Sequence, residues 1–208
     1  MNRKILLFLV GTATFVLFIF FSFLVHKDIF FQFDFDTTVR LQDKIPRRFD
    51  EALSVFSDIG NFEPVLVFLL AILILRRKIW GMAVVGFFGL FHVFEVVGKF
   101  FIDHLPPPEF MLRVKHLAEF PQFHIRSEFS YPSGHAGRAA FVTILLGVLV
   151  IRSKKLSYIQ KFIIIGILTM YDLSMFVSRI YLGEHWISDV IGGALLGFSF
   201  GLLAALAL

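Results

Sequence analysis

The chain has 208 residues, of which 57% are hydrophobic, and a formal net charge of +4. Its length would fit one soluble domain, but its apolar residues are gathered in long stretches that are typical of membrane-spanning helices. The absence of cysteine excludes disulfides and thiolate metal sites. The basic residues lie in short turns without interleaved aromatic residues, and we therefore expect no nucleic-acid partner.

The first apolar stretch, residues 5–25, contains 21 residues without a charge. At a rise of about 1.5 Å per residue it can cross a hydrocarbon core of roughly 30 Å. A cleaved signal peptide is the alternative interpretation, but the stretch is long and no small-residue cleavage pattern follows it. We expect an uncleaved membrane anchor.

Later stretches bring the number of predicted spans to six. Residues 79–98 are interrupted only by His92 and Glu95, and residues 190–208 carry no charge. Three other candidates are shorter and need polar flanking turns to complete a crossing. We therefore predict an all-α fold, a bundle of six transmembrane helices in one domain over residues 1–208. The predicted spans are residues 5–25, 60–76, 79–104, 134–151, 161–178 and 187–208.

Charge placement orients these spans. Basic residues without any acid occupy the N-terminus and the turns after the second and fourth spans, namely Arg3, Lys4, Arg76, Arg77, Lys78, Arg152, Lys154, Lys155 and Lys161. Nearly all acidic residues fall in the other loops, residues 28–63 and 103–128. By the positive-inside rule, this pattern predicts a multi-pass protein of the cell inner or plasma membrane with both termini cytoplasmic.

The first outside loop, residues 26–62, is the longest. Its apolar residues recur at helical spacing with charged residues between them, at Leu41, Ile45, Phe49, Ala52 and Phe56. This pattern predicts short interfacial helices, and Pro46 favours the first turn of the second of these. A lid packed on the bundle and a surface that guides lipid are both open interpretations.

The second outside loop begins with three consecutive prolines, Pro106, Pro107 and Pro108. Proline cannot continue a helix and restricts the residue before it, so we expect the third span to end close to Leu105.

The segment Ser133-Gly134-His135 follows Pro132 and precedes an apolar helix. Serine is a favoured N-cap, glycine allows a ligand to approach the backbone, and the first helical N–H groups are unpaired. Such a helix N-terminus can bind phosphate, with His135 beside it to give or take a proton. An ordinary capped helix is the alternative.

His185 and Asp189 are four residues apart at the start of the last span, so their side chains can touch. A carboxylate on one imidazole nitrogen leaves the other free as a nucleophile or base. Arg179 precedes them across a turn that Gly183 relaxes, and its planar guanidinium suits two phosphate oxygens. A structural hydrogen bond is the alternative for the His–Asp pair alone.

Lys99 lies near the outer end of the third span, on the helix face of Glu95 and His92. It can extend to the interface like other lysines near helix ends, or place a point charge on a phosphate. Asp172 and Glu95 both lie inside predicted spans, where acids usually pair. We expect them to steer Lys99 or Arg138.

These motifs resemble the type 2 phosphatidic acid phosphatase (PAP2) superfamily, whose pattern is Lys-x6-Arg-Pro, then Pro-Ser-Gly-His, then Ser-Arg-x5-His-x3-Asp. The second block is intact at residues 132–135 and the third at residues 178–189. The first block departs from the pattern, because Lys99 and Pro107 match but Pro106 stands at the arginine position. Either activity is reduced, or another cation compensates.

The best candidate for that cation is Arg138, which follows His135 by three residues on the same helix face. An arginine one turn into a membrane helix is expensive without a function. Arg113, Lys115 and Arg126 in the outside loop are less constrained alternatives.

The resemblance implies an integral-membrane phosphatase that needs no metal and no cofactor. His185 would attack phosphorus to form a phosphohistidine, Asp189 would orient it, and His135 would act as acid and base. The implied phosphate-binding residues are Lys99, Ser133, Gly134 and Arg179, to which we add Arg138.

The implied partners are a phosphorylated membrane lipid and the bilayer, with the site on the periplasmic or extracellular side. Family substrates are undecaprenyl diphosphate, phosphatidylglycerophosphate, phosphatidic acid and lipid A phosphate. A lipid phosphotransferase and a non-catalytic membrane protein with a decayed site are the alternatives. A vanadate-dependent oxidase is a more distant alternative, because those relatives are soluble.

Overall fold

The computed structural model describes residues 2–76, 82–114 and 129–208. The regular elements in these ranges are all helical, as predicted. They are the α-helices α1 (Arg3–His26), α2 (Phe31–Lys44), α3 (Asp50–Asp58), α4 (Phe62–Arg76), α5 (Met82–Phe101), α6 (Gly134–Arg152), α7 (Tyr158–Tyr181) and α8 (Ile187–Ala204), with short 3₁₀ turns at Arg47–Phe49, Glu109–Met111 and Ala205–Ala207. Arg77, Lys78 and the first three residues of the predicted third span lie outside the described residues, as do Lys115 and Arg126.

Five helices are long and apolar enough to cross a membrane: α1, α5, α6, α7 and the helical segment Ile187–Ala207. The remaining predicted span, residues 60–76, is different. Helix α4 has 15 residues, which at about 1.5 Å per residue is shorter than a hydrocarbon core. It forms a bent pair with the segment Arg47–Asp58, with an angle of 46° between the two parts. The described residues therefore contain five clear spans and a sixth that is complete only as this bent pair.

Helix α8 lies at the centre of the bundle and packs against α6, α1 and α5. Its contact with α6 depends on small residues, because a Cβ atom on Gly197 would lie 2.1 Å from the carbonyl oxygen of Gly137, and one on Gly193 would lie 2.2 Å from that of Ser133. Small residues at four-residue spacing allow two membrane helices to approach closely. This approach brings the N-terminus of α6 beside the N-terminus of α8.

Helix α1 presents much of its apolar surface outward, and Phe8, Phe20 and Phe23 are each more than half exposed. Inside the bundle, by contrast, rings from α5 and α6 pack together, with Phe88, Phe91 and Phe141 fully buried. An apolar surface that faces outward around an aromatic interior is the expected arrangement for a protein surrounded by lipid.

Helices α2 and α3 are the short helices predicted in the first outside loop. Pro46 lies immediately before the 3₁₀ turn that precedes α3, and therefore does not lie within the first turn of α3. Helix α2 packs on the bundle: Asp34 accepts hydrogen bonds from the backbone N–H and hydroxyl of Ser188, each 2.8 Å long. Gln42 donates to the carbonyl oxygens of Met111 and Tyr181. These contacts favour the lid interpretation.

The third span ends earlier than we predicted. Helix α5 stops at Phe101 rather than near Leu105, and the chain then turns, with the N–H of His104 bonded to the carbonyl oxygen of Ile102 at 2.8 Å. Pro106 cannot continue the helix, because it has no N–H to donate and its ring would clash with the carbonyl oxygen of Ile102, four residues back. The turn directs the side chain of His104 into the bundle, where it is buried.

Candidate active site

The predicted site residues lie where the C-terminal turns of α5 and α7 meet the N-terminal turns of α6 and α8. Ser133 is the N-cap of α6, Gly134, His135 and Arg138 lie in its first turns, Lys99 and Arg179 lie in the last turns of α5 and α7, and His185 and Asp189 flank the start of α8. The charges of Arg179, Arg138, His185 and Lys99 all act on the imidazole of His135. The fold therefore brings together residues that are up to 90 positions apart in the sequence.

His185 and Asp189 form the contact that their spacing predicts. Nδ1 of His185 lies 3.4 Å from Oδ2 of Asp189, and the same oxygen accepts the backbone N–H of Trp186 at 2.9 Å. Burial lowers the pKa of His185, as does the positive charge of Arg179, and the hydrogen bond to Asp189 only partly opposes them. A neutral imidazole with Nδ1 directed to the carboxylate leaves Nε2 as the nitrogen that can attack.

The N-terminus of α6 has the features of an anion site. The backbone N–H of Ser133 donates to the carbonyl oxygen of Asp189 at 3.0 Å, which ties this turn to α8. The side-chain hydroxyl of Ser133 is fully buried and has no hydrogen-bond partner among the described residues. A Cβ atom on Gly134 would lie 2.0 Å from Oε1 of Glu95, so any other residue here would displace the Glu95 side chain. The unpaired hydroxyl and the helix N-terminus together provide donors for a bound phosphate.

His135 has a defined proton arrangement. Its Nδ1 lies 3.4 Å from Nη2 of Arg138 and its Nε2 lies 2.8 Å from Oδ1 of Asn61. Because a guanidinium only donates hydrogen bonds, Nδ1 is the acceptor, and Nε2 carries the proton and donates it to Asn61. His135 is therefore neutral in this arrangement, and its proton-bearing nitrogen faces the corner between α3 and α4.

Arg138 lies against His135, as its spacing predicted, but it has other partners too. Its Nε donates to the carbonyl oxygen of Gly60 at 2.8 Å, and its Nη1 lies 3.5 Å from Oε2 of Glu95. Glu95 also contacts Nδ1 of His92 at 2.9 Å. The pairing of Glu95 with Arg138 agrees with our expectation for buried acids, whereas a role of Arg138 in phosphate binding stays a prediction.

The expectation for Asp172 is wrong. Its Oδ2 accepts a hydrogen bond from the hydroxyl of Thr143 at 2.7 Å, and its Oδ1 has no hydrogen-bond partner in the described part of the chain. Neither Lys99 nor Arg138 forms an ion pair with it. The reason is its position in α7, about two turns below Arg179 and facing the middle of α6, below the turns that hold the cations.

Arg179 is nearly fully buried, and its guanidinium has partners on two elements. Its Nη1 donates to Oγ of Ser57 in α3 at 2.5 Å and lies 2.5 Å from Oε2 of Glu184. Its Nε is buried without a hydrogen-bond partner among the described residues. A phosphate accepts several N–H bonds at once. An oxyanion can therefore bind to the unpaired Nε of Arg179 and to the nitrogen that now contacts the carboxylate of Glu184.

A small cleft lies beside these groups. Its lining includes His135 and Arg179 from the predicted set, together with Ser57, Asn61 and Glu184. The charges of Glu95, Asp189, Arg138 and Arg179 all act on Lys99, so this ammonium lies close to the same region. Because residues of α3 and of the turn after it line the cleft, the first outside loop has a direct part in the site.

Five residues in contact with the site were missed by the sequence reasoning: Asp34, Ser57, Asn61, His104 and Glu184. Asp34, Ser57 and Asn61 lie more than 70 positions from their partners, so no local spacing reveals them. Glu184 sits next to His185 and was visible only as part of the motif. For His104, the position five residues after Lys99 was the available signal.

Comparisons with known proteins agree with this geometry. The family model of the PAP2 superfamily matches residues 78–208, which is more than half of the chain. Phosphatidylglycerophosphatase B of Bacillus subtilis is 31% identical over 146 residues, which are 67% of this chain and 62% of that protein. An undecaprenyl-diphosphatase of Sulfolobus acidocaldarius is 36% identical over 121 residues, which are 58% of this chain and 51% of that protein. The chain thus matches less than two thirds of the length of either relative.

Two crystal structures share the fold. A transmembrane PAP2-type phosphatidylglycerolphosphate phosphatase from Bacillus subtilis is similar with a TM-score of 0.77, covering 93% of both chains at 22% identity. Aquifex aeolicus LpxE is similar with a TM-score of 0.61, covering 83% of this chain and 94% of that one at 23% identity. With the family match over residues 78–208, the intact second and third motif blocks and this helical arrangement, the chain belongs to the PAP2 superfamily.

Proposed function

We propose that this protein is an integral-membrane lipid phosphatase that hydrolyses a phosphate monoester or diphosphate through a phosphohistidine intermediate. The observation that carries the proposal is the convergence of two imidazoles and two cations at one end of the bundle. The positive charges of Arg179 and Lys99 act on both imidazoles, those of His135 and His185. The names of the two sequence relatives, a phosphatidylglycerophosphatase and an undecaprenyl-diphosphatase, support a phosphorylated lipid as substrate.

The first chemical step is attack on phosphorus. Nε2 of neutral His185 donates its lone pair, the P–N bond forms, and the bond from phosphorus to the leaving oxygen breaks. Asp189 accepts the Nδ1 proton in a hydrogen bond and stabilises the positive charge that develops on the ring. Lys99, Arg179 and the Ser133 hydroxyl stabilise the equatorial phosphate oxygens, as cationic and polar donors do in phosphoryl transfer.

His135 supplies the proton for the departing oxygen. A neutral ring that gave up its only N–H proton would become an imidazolate, so His135 must first be protonated at Nδ1. The negative charge of a bound phosphate favours this imidazolium, and the contact from Arg138, at 3.4 Å, is long enough to be replaced. After the first step, neutral His135 takes a proton from water as that water attacks phosphorus, the P–N bond breaks, and phosphate leaves.

The membrane arrangement fits a lipid substrate. The site lies at the ends of four apolar helices, α5 to α8, and the exposed apolar side chains of these helices face outward. A lipid can therefore place its headgroup at the cleft while its chains stay in the bilayer. We further propose that both termini are cytoplasmic and that the site faces the periplasmic or extracellular side, because the basic turn between α6 and α7 lies at the opposite end of these helices from the site.

The decisive experiment measures phosphate release by the purified protein in nanodiscs. The substrates are phosphatidylglycerophosphate, undecaprenyl diphosphate, phosphatidic acid and lipid A 1-phosphate, each with and without added divalent cations. We expect release from at least one substrate, complete loss in His185→Ala, and normal activity in His26→Ala, which changes an exposed histidine at the end of α1. No release from any of the four would refute the proposal.

Trapping experiments identify the intermediate and separate the alternative reaction. Enzyme quenched with alkaline detergent during turnover of labelled substrate should carry label in the wild type and none in His185→Ala, and acid treatment should then release that label, because phosphohistidine forms only on the nucleophile. Transfer of the label to an added acceptor lipid instead of water would identify a phosphotransferase. An unchanged biological activity in His185→Ala would point to a non-catalytic role.

A further inference from the structure

The carboxylate of Asp189 contacts two imidazoles. Its Oδ1 lies 2.9 Å from Nδ1 of His104, whereas its Oδ2 lies 3.4 Å from Nδ1 of His185. Asp189 is fully buried, and both histidines are less than a tenth exposed. The shorter hydrogen bond of this carboxylate is therefore to His104, which lies at a variable position of the first motif block, between Lys99 and Pro106.

The other nitrogen of His104 faces a second carboxylate. Its Nε2 lies 3.7 Å from Oδ2 of Asp34, which is an ion-pair distance. Asp34 is itself fixed by its two hydrogen bonds from Ser188, the residue before Asp189. Because carboxylates only accept hydrogen bonds when ionised, a ring between two of them is best satisfied with protons on both nitrogens. His104 thus has the surroundings of an imidazolium.

The remaining neighbours of His104 are consistent with a positive charge. Asp28, in the turn between α1 and α2, adds a third negative charge, and the ring of Tyr131 lies edge to face with the imidazole at 6.5 Å. Burial alone would lower the pKa of His104, but the hydrogen bond and charge of Asp189 and the charge of Asp34 outweigh it and raise this pKa above its ordinary value.

The backbone holds His104 firmly in this position. Its carbonyl oxygen accepts both the N–H of Ser130, at 2.9 Å, and the hydroxyl of Ser130, at 3.2 Å. These bonds join the segment after α5 to the segment before α6. The ring is therefore placed by the segment that follows the helix of Lys99 and by the segment that carries Ser133. It lies only two residues before the position where Pro106 replaces the family arginine.

We propose that His104 is a positioning residue, which as an imidazolium bridges Asp34 and Asp189 and so keeps His185 neutral and aligned for attack. The proposal rests on the proposed function, in which His185 is the nucleophile. By holding Oδ1 of Asp189, His104 fixes the rotation of the carboxylate so that Oδ2 faces His185 and the N–H of Trp186. By neutralising part of the charge of Asp189, it weakens the tendency of that carboxylate to protonate His185.

The electrostatic part of the proposal has a definite sign. The charged groups that act on His185 are Asp189, Arg179 and Lys99, and only Asp189 favours its protonation. Without the His104 cation, the negative charge of Asp189 is no longer partly neutralised, and its full effect on His185 raises the pKa of His185. Since only neutral His185 can attack, the acid limb of kcat/KM then moves to higher pH.

The test compares wild type, His104→Gln, His104→Ala and the control His26→Gln over a range from about pH 5 to about pH 9. The substrate is whichever lipid phosphate the wild type hydrolyses. We expect kcat to fall about 100-fold in His104→Ala, because the carboxylate loses its orientation. In His104→Gln, whose amide can still donate to Asp189, we expect a smaller fall, of about tenfold. The acid limb should move up by about one pH unit in both variants.

A merely structural role would lower activity at every pH without moving the acid limb, and an unmoved limb overturns the proposal. A second measurement needs neither a variant nor activity. Hydrogen–deuterium exchange at the imidazole carbons of the wild-type protein, followed by mass spectrometry, reports the midpoint of each histidine. We expect the midpoint of His104 to exceed that of exposed His26. A midpoint at or below that of His26 refutes the bridge, whereas inactivity of the wild type on all four lipids refutes only the proposed function.

Discussion

The carboxylate of Glu184 lies 2.5 Å from Nη1 of Arg179, the guanidinium that we propose to bind phosphate. A phosphate that binds there must compete with this carboxylate and approach it against like-charge repulsion. We therefore predict that Glu184→Gln lowers KM for the lipid phosphate by about fivefold, the equivalent of about 1 kcal/mol, and changes kcat little. Steady-state kinetics in nanodiscs measure both constants.

The control for this prediction is Glu51→Gln, which removes an exposed carboxylate at the start of α3 and leaves the guanidinium contacts intact. It should leave KM unchanged. An equal decrease of KM in both variants would mean that overall charge, and not the contact with Arg179, governs binding.

The buried pair of Arg138 and Glu95 supports a prediction about stability. Removing one partner of a buried ion pair leaves an uncompensated charge, which costs about 3–5 kcal/mol. We predict that Arg138→Met lowers Tm by about 10 °C. The double variant Arg138→Met with Glu95→Gln should recover most of that loss, because no unpaired charge remains. Thermal unfolding in detergent, followed by intrinsic fluorescence, measures these differences.

The same two variants separate structure from catalysis. If Arg138 compensates for the arginine that Pro106 replaces, the double variant should be stable and yet strongly impaired in phosphate release. A stable double variant with wild-type kinetics would show that Arg138 serves only to neutralise Glu95 in the bundle.

The two histidine positions illustrate what sequence can and cannot predict about this site. His185 and Asp189 are fixed relative to each other by one helical turn, so their contact follows from spacing alone. The contact of His104 with the same carboxylate depends on where α5 ends, and the sequence predicted that end four residues too late. The prolines indicate that the helix must end before Pro106, but they do not determine which residue ends it.

The first outside loop shows a related difference. The helical spacing from Leu41 to Phe56 predicted α3 and the end of α2, but α2 begins ten residues earlier, at Phe31. The contacts of Ser57 with Arg179 and of Asn61 with His135 were not predictable, because they depend on how α3 and α4 bend over the bundle. Tertiary packing sets that bend, and neither residue is part of a recognisable motif.

Close packing of α6 on α8 positions both halves of the site, and this too can be tested. A Cβ atom on Gly197 would lie 2.1 Å from the carbonyl oxygen of Gly137, a backbone atom that cannot move without shifting the helix. We predict that Gly197→Ala destabilises the protein by about 3 kcal/mol and reduces phosphate release at least tenfold. Thermal unfolding and the nanodisc assay measure the two effects.

The matched control is Gly166→Ala in α7, where a Cβ atom would meet nothing within 4 Å. The substitution is chemically identical and also lies in a membrane-spanning helix, so stability and activity should stay at or slightly above the wild-type level. Equal losses in both variants would show that glycine flexibility, and not helix approach, explains the effect.

The proposed orientation in the membrane can be tested directly, because the chain contains no cysteine. Arg48 is exposed in the 3₁₀ turn before α3, and Lys154 is exposed in the turn between α6 and α7. Turns that contain basic residues without acids are retained on the cytoplasmic side, and the loop of Arg48, which contains acids, then faces the opposite side. Arg48→Cys should therefore react with a membrane-impermeant maleimide in intact spheroplasts. Lys154→Cys should react only after permeabilisation, and the cysteine-free parent should not react at all. The reverse labelling pattern would place the cleft on the cytoplasmic face, where the lipid substrate would have to come from the inner leaflet.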